Sequence, residues 1–480
     1  MNKQGDSMSS TFCILPWINI STRANGDLRV CCHANQGPTR GIYKKEDGTN
    51  YNLKQDKITD AINSPLAKDI RKTILDDKWH AECIRCLREE KAGMKSRRIN
   101  DGERFAEHIT LEQAQNHTAE DGTIDLNHIK QTYYDIRLGN FCNLKCRMCS
   151  PMDSSSWYDD YVKMWGTNKF KDTHGIVEMY KNNKGRFVSN DYDWVKKDHF
   201  WENLKENVAG MQHVYLVGGE PLIIEEHYDF LKYCVEVDKA KDITLEYNTN
   251  LTNIQPRALE LWKQFKQVQF GISMDGIGET LEYVRNPLKS KLMEKNLKKL
   301  DEVGLEKMNF RAWIAFTIGA LNAFHFSDFL KWKLEQDFAV ISPMLKNNPK
   351  PFVNAHPIHR PHELATRFLP LEVKDQVRDK WEEFRTEFKT DLVNNIDFHS
   401  LAKKNPMAMG MIKPANKEWA MMKMDQLLDN NIKFMYDEDW FTEENNRKFW
   451  QYNEKLDGIR NENMEKQLPE LYNAMKKYKV

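Results

Sequence analysis

No stretch of eighteen apolar residues occurs in this 480-residue chain, so hydropathy offers no helix that would cross a membrane. The first residues also lack the basic and then apolar order of a secretion signal, and a cytoplasmic protein is expected. Neither sign of charge is in excess, since Lys plus Arg and Asp plus Glu are 71 each. That balance leaves no overall electrostatic footprint for nucleic acid or an acidic membrane, though it does not exclude a local patch. Nine cysteines are too few for a disulfide scaffold in a chain this long. Seven of them fall in tight sets, which reads as metal ligation in a reducing compartment. There is no internal repeat and no low-complexity tract. Apolar material is sufficient for a sizeable core, at 40% hydrophobic and 11% aromatic, and the length suits about three domains or one large barrel with appendages.

The stretch Gly-Asn-Phe-Cys-Asn-Leu-Lys-Cys-Arg-Met-Cys-Ser, from Gly139 to Ser150, holds Cys142, Cys146 and Cys149 with three and then two residues between them. A structural zinc site takes four protein ligands, usually two cysteine pairs, and the odd third thiol fits it poorly. Three buried free thiols fit poorly as well, because the loop is short and polar. Sulfurs so placed can reach three corners of one iron–sulfur cube and leave the fourth iron without a protein ligand. An open iron can bind a substrate.

Cys-x3-Cys-x2-Cys after a strand resembles the signature of radical S-adenosylmethionine (SAM) enzymes. The resemblance implies a site-differentiated [4Fe-4S] cluster whose open iron is chelated by the amino and carboxylate groups of SAM. It also implies reductive cleavage of the sulfonium, releasing a 5′-deoxyadenosyl radical. Many members carry an aromatic residue near the adenine where this chain has Met148, and a methionine offers a soft, polarizable contact instead.

In the first hundred residues, Phe12-Cys13 leads into an alternating stretch through Ile18 and Ile20. Asn25-Gly26 is a hairpin turn, and Leu28 and Val30 carry the alternation to Cys31 and Cys32. The hairpin is expected to bring Cys13 and Cys31 towards each other. A helical pattern from Ile58 to Leu75 precedes Cys83-Ile-Arg-Cys86. Four sulfurs saturate either a zinc ion or a four-iron cube, and spacing does not separate the two.

The order Cys13, Gly26, Cys31 and a distant Cys-x2-Cys resembles the auxiliary-cluster region of SPASM and twitch domains, companions of radical SAM barrels. No further cysteine occurs before Cys142, so the likeness is to the shorter twitch form. It implies a second, auxiliary [4Fe-4S] cluster on Cys13, Cys31, Cys83 and Cys86. A twitch domain ahead of the barrel resembles a group of radical proteins of bacteria and their phages, over nearly the whole chain. Cys32 is an alternative ligand, and the count from Gly26 favours Cys31. His33 and His80, close by, read as surface residues.

Residues 91–131 read as a connector with one short helix, and Lys95, Arg97 and Arg98 as a solvated basic face. Tyr133 to Leu138 alternates and delivers the chain into the thiol loop as a first strand. A helix from Ser154 to Trp165 and a polar insertion from Thr167 to Asp193 follow. Strand-like and helix-like runs then alternate: His213 to Val217 and Glu225 to Val237, Ile243 to Tyr247 and Pro256 to Phe265. Next come Val268 to Ser273 with a helix ending near Val303, and Phe310 to Ile318 with a helix after Phe324. Phe338 to Ile341 is a short candidate for a sixth strand. This alternation is that of an α/β protein with a parallel sheet and crossover helices. Six strands suit the partial TIM-like (β/α)6 barrel of the radical SAM superfamily.

Polar residues end these strands, where a βα barrel does its chemistry. Gly218-Gly219-Glu220-Pro221 follows the His213 strand; its glycines let backbone approach a ligand, and Glu220 can accept from an ammonium group. In this place it resembles the motif that holds the amino group of SAM. Asn248, Ser273 and Asp275 can hydrogen-bond ribose hydroxyls or a carboxylate, and they resemble such contacts in related barrels. Arg285 has the planar fork for a carboxylate.

From about Pro343 the chain is proline-rich. His356, His359 and His362 are separated by prolines and read as an irregular loop, not a metal site. Helical, charged segments follow, among them Val373 to Phe388 and Trp440 to Met464, with Met407 to Met424 as core filling. The expected organisation is a twitch/SPASM-like domain over 1–100, a linker over 101–131, the barrel over 132–345 and a helical C-terminal extension over 346–480. The expected function is reductive cleavage of SAM and hydrogen abstraction from a substrate, a peptide or protein being slightly favoured, with a reductant such as flavodoxin or ferredoxin. The alternative is a non-catalytic iron–sulfur or zinc-binding regulatory or scaffold protein. No residue is assigned as base or hydrogen donor.

Overall fold

The chain turns sharply at Asn25-Gly26, where the Gly26 N–H donates to the Arg23 carbonyl at 2.9 Å, and β1 (Asn19–Thr22) folds back on β2 (Leu28–Arg29). The computed structural model describes residues 11–91, 93–172, 175–307, 309–346, 350–404 and 416–479. They form two compact units. The first comprises Met1–Phe141, Ser189–Tyr247 and Gln264–Lys266; the second comprises Cys142–Val188, Asn248–Lys263 and Gln267–Val480.

In the first unit β1 pairs parallel with β3 (Tyr133–Leu138), β3 parallel with β4 (His213–Gly218), and β4 parallel with β5 (Thr244–Thr249). Alternation decides what each face meets. Tyr134, Ile136 and Leu138 of β3 and Val214 and Leu216 of β4 are buried apolar residues, each contributing roughly 1.5–3 kcal/mol on burial. The opposite face carries Tyr133, Asp135, Arg137, His213, Tyr215 and Glu246.

The stretch expected as a linker packs instead: helices Arg97–Arg104 and Leu111–Asn116 form, and Phe105, Ile109, Ala114, Ile124 and Ile129 are buried. The solvated basic face is also corrected. Lys95 is exposed, paired with Glu103, but Arg97 and Arg98 turn inward. Ser96 caps their helix by accepting from the Ile99 N–H, and carboxylates wait for both guanidiniums: Asp101 lies 2.7 Å from Arg97 Nε, and Glu90 lies 2.9 Å from Arg98 Nε.

In the second unit β6 (Gln267–Ser273) and β7 (Phe310–Ile318) pair in parallel from Val268 opposite Phe310 to Ser273 opposite Ala315. The helix Ser290–Lys307 connects them in sequence, and Phe326–Glu335 follows β7. The next strand differs from the expectation. Phe338 to Ile341 contributes only a bridge from Ile341 to Ala312, because the buried Asp301 carboxylate accepts the N–H groups of Ala339, Val340 and Ile341 at 2.8–3.0 Å. With those donors engaged, β8 forms at Asn354–Pro357 and runs parallel to β7. His356 lies in that strand, while His359 packs on Phe434 and His362 stacks on Trp440, so the three imidazoles do not form a cluster.

The C-terminal region is helical, with Leu371–Thr390, Lys417–Tyr436 and Glu443–Arg460 as its long members. Met424 is buried but Met422 is exposed; Met407, Met409 and Met411 lie outside the described residues. No helix among the described residues is long and apolar enough to cross a membrane.

Candidate metal centres

The thiol loop of the second unit is held by its own carbonyls. Ser156 Oγ donates to the Cys142 carbonyl at 2.7 Å, Ser154 Oγ to that of Leu144 at 2.5 Å, and Trp157 Nε1 to that of Cys146 at 2.9 Å. The loop N–H groups of Lys145 and Arg147 donate to the Asn286 and Val284 carbonyls at 2.7 and 2.8 Å. The loop backbone is therefore set, while the sulfurs are left to gather. Asn250 Nδ2 lies 3.8 Å from Cys142 Sγ, and Arg285 Nη1 lies 3.7 Å from Cys146 Sγ.

A hydrogen bond shared by Cys146 and Cys149 holds the Cys146 thiol below the ordinary thiol range, with Arg285 adding to the shift, and pushes Cys149 well above it. One thiolate is thus favoured before any metal arrives, and a thiolate is the form that ligates.

Arg147, between two of these cysteines, is fully buried. Its guanidinium meets Asn453 Oδ1 at 2.9 Å, Glu462 Oε2 at 2.7 Å and Asp457, and lies 3.6 Å from the Tyr283 ring centroid. The Tyr452 hydroxyl donates to the Arg147 carbonyl. Sequence reading missed this clamp, since Asp457 and Glu462 look like ordinary surface charges of a charged helix.

Asp275 was expected to touch ligand, and the structure gives it other partners. It is fully buried, accepts the Thr317 N–H at 2.7 Å through Oδ1, and faces Arg285 Nε at 2.6 Å through Oδ2. Ser273, half-buried, ends β6. Asn248 is exposed, its Oδ1 lying where a Cβ on Gly271 would come within 2.3 Å.

In the first unit Gly218 takes φ +135°, and a Cβ on Gly219 would lie 2.2 Å from the Phe141 carbonyl oxygen, so both positions require glycine. The close approach lets the Glu220 N–H donate to Phe141 O at 2.7 Å. The buried Glu220 carboxylate accepts from the Leu222 N–H at 3.0 Å.

Cys13, Cys31, Cys83 and Cys86 line one cavity together with Arg97, Arg98 and His33. Burial raises all four thiols, Cys31 and Cys83 to about 12, and neighbouring cysteines add to the rise at Cys13, Cys31 and Cys83. A metal centre would convert them to thiolates. Cys32 does not line the cavity and instead meets the Arg97 guanidinium. His33 is half-buried, and burial lowers its imidazole to about 3, while His80 caps a turn by accepting from the Glu82 N–H.

Zinc bound at about 2.3 Å would draw sulfurs to about 3.8 Å from one another. Among the described residues, three ligand atoms come mutually within 4.8 Å at His33, Cys86 and Glu89, not at three cysteine sulfurs.

Residues 136–318 match the family model described as the Radical SAM superfamily. Curated proteins give no significant match. Solved structures similar to the chain include native anSMEcpe with bound AdoMet, 17% identical, covering 55% of this chain and 62% of that one at a TM-score of 0.33. Streptococcus suis SuiB bound to S-adenosylmethionine is 17% identical, covering 61% and 57% at a TM-score of 0.28, and SuiB bound to precursor peptide SuiA is 16% identical, covering 65% and 60% at 0.26. The chain thus spans less than two thirds of the length of these chains. Over residues 136–318, then, the chain carries a radical SAM domain, an enzyme domain.

Proposed function

We propose that the chain is a radical SAM enzyme in which Cys142, Cys146 and Cys149 hold a [4Fe-4S] cluster with one iron left open. The observation that supports this reading is a loop whose backbone is held by hydrogen bonds from Ser154, Ser156 and Trp157 and which carries three cysteines, one of them favoured as thiolate. When bound, such a cluster supplies an electron to SAM and so yields a 5′-deoxyadenosyl radical for hydrogen abstraction.

The chain's own residues bind and orient. Glu220, presented by Gly218 and Gly219, takes the amino group of SAM. Arg285 takes its carboxylate, and Asn248 and Ser273 take ribose hydroxyls. Asp275 is a positioning residue that holds the Arg285 fork. Cys13, Cys31, Cys83 and Cys86 hold an auxiliary [4Fe-4S] cluster in a twitch-like domain of the bacterial and phage kind, ahead of a partial (β/α)6 barrel. The chain works in the cytoplasm with a flavodoxin or ferredoxin as reductant. A peptide or protein substrate is slightly favoured.

Anaerobic reconstitution followed by reduction with SAM tests the reading. 5′-Deoxyadenosine forms with the native chain and is absent with Cys146→Ala; equal formation by both would sink the proposal.

A further inference from the structure

In the first unit one row of side chains runs in register across five strands. Arg29 lies opposite Ser21, Ser21 opposite Asp135, Asp135 opposite Tyr215, and Tyr215 opposite Glu246. Paired residues project to one face, and Arg137, two residues beyond Asp135, shares it. The strand is the one that feeds the thiol loop.

The negative charges of this face are engaged. Glu246 meets Arg104 and lies 2.9 Å from His213 Nε2. Asp135 accepts from Ser21 Oγ and from Arg97 Nη2, both at 3.4 Å.

The positive charges have no direct ion pair among the described residues, although Asp135 lies within the field of Arg29. Arg29 is 6% exposed, its Nε donates to Ser21 Oγ at 3.3 Å, and its Nη2 has no acceptor. Arg137 is exposed; its backbone N–H donates to Thr22 Oγ1 at 2.8 Å, but its guanidinium has no ion pair among the described residues. The two flank the same stretch of β1, Arg29 opposite Ser21 and Arg137 against the Thr22 hydroxyl. Buried polar groups are ordinarily satisfied, and two guanidinium forks match a carboxylate or phosphate.

We propose that Arg29 and Arg137 form a binding site for an anionic group of the substrate, a carboxylate or a phosphate. The substrate role rests on the radical SAM reading above; the anion site itself does not. Asp135, Cys32 and Cys31 also lie within the field of Arg29, so the carboxylate and loaded auxiliary sulfurs are rival counter-charges for that residue. Arg137 therefore carries the test.

Calorimetric titration of the anaerobically reconstituted holoenzyme with inorganic phosphate and, separately, with succinate provides the measurement. At least one probe binds the native protein, and Arg137→Gln weakens it tenfold or more, with iron content and SAM affinity unchanged. The tighter probe names the anion. Arg29→Gln acts in the same direction, and should that buried substitution fail to fold, Arg137→Gln decides alone. Binding of neither probe, or equal binding by the variant, overturns the site. So does a weakened SAM affinity in Arg137→Gln, which would assign the pair to the SAM carboxylate, or a loss of iron, which would assign it to a cluster. If 5′-deoxyadenosine never forms while phosphate binding still depends on Arg137, the radical reading falls and the anion site stands.

Discussion

Arg147 Nη2 lies 2.7 Å from Glu462 Oε2, although 315 residues separate the two in sequence. With Asn453 and Asp457 beside Glu462, the end of the chain grips the middle of the thiol loop. Removing the guanidinium leaves two half-buried carboxylates without their counter-charge, held by Asn286 and the Met464 N–H. Arg147→Gln is expected to lower the unfolding free energy by roughly 3–5 kcal/mol and to reduce iron uptake. Denaturant unfolding and iron analysis check this; a variant that unfolds and loads iron like the native chain would show the grip to be dispensable.

The four cysteines around Arg97 and Arg98 make a second count possible. Two four-iron cubes imply about eight irons per chain. Replacing Cys13, Cys31, Cys83 and Cys86 together by alanine should leave about four. Cys32→Ser should leave the full number, since Cys32 does not line the cavity. An unchanged count in the quadruple variant would remove the auxiliary cluster.

Asp275 holds Arg285 at 2.6 Å, and Arg285 in turn faces Cys146. Asp275→Asn keeps the shape but loses the charge that orients the fork. The KM for SAM in 5′-deoxyadenosine formation should rise roughly tenfold, about 1.4 kcal/mol, with iron content unchanged. A variant with native KM would leave Asp275 a purely structural residue.

His325 accepts the Ile277 N–H through Nε2 at 3.0 Å, beside the turn that carries Asp275. Burial lowers its imidazole to about 4. Below about pH 6.5 the unfolded chain takes up a proton there that the folded chain refuses, so stability falls as pH drops from about 6.5 towards 4. The loss at this group is at most roughly 3 kcal/mol. Urea unfolding across that range should show the slope, and His325→Gln should flatten it.

Tyr133–Leu138 and Phe310–Ile318 form as strands with the bounds their alternation predicts, because a two-residue period is a local property. The three-cysteine spacing and the two glycines before Glu220 were likewise readable, since both depend on backbone within a few residues. Where prediction and structure part, a distant group intervenes. Asp301 takes the N–H groups that would have made Phe338 to Ile341 a strand. Arg97 is drawn inward by Asp135, 38 residues further along the chain, although its local sequence looks solvated.

The sequence by itself determined the chemistry on offer: which sulfurs stand near one another along the chain, where backbone can approach a ligand, and which runs become strands. Only the tertiary structure decided how those groups are charged and held. Arg285 leans on Asp275, Arg147 is gripped from the far end of the chain, and Arg29 and Arg137 share a face with no direct ion pair among the described residues. Spacing and periodicity act through the backbone over a few residues, whereas charge pairing acts through space and is indifferent to sequence distance.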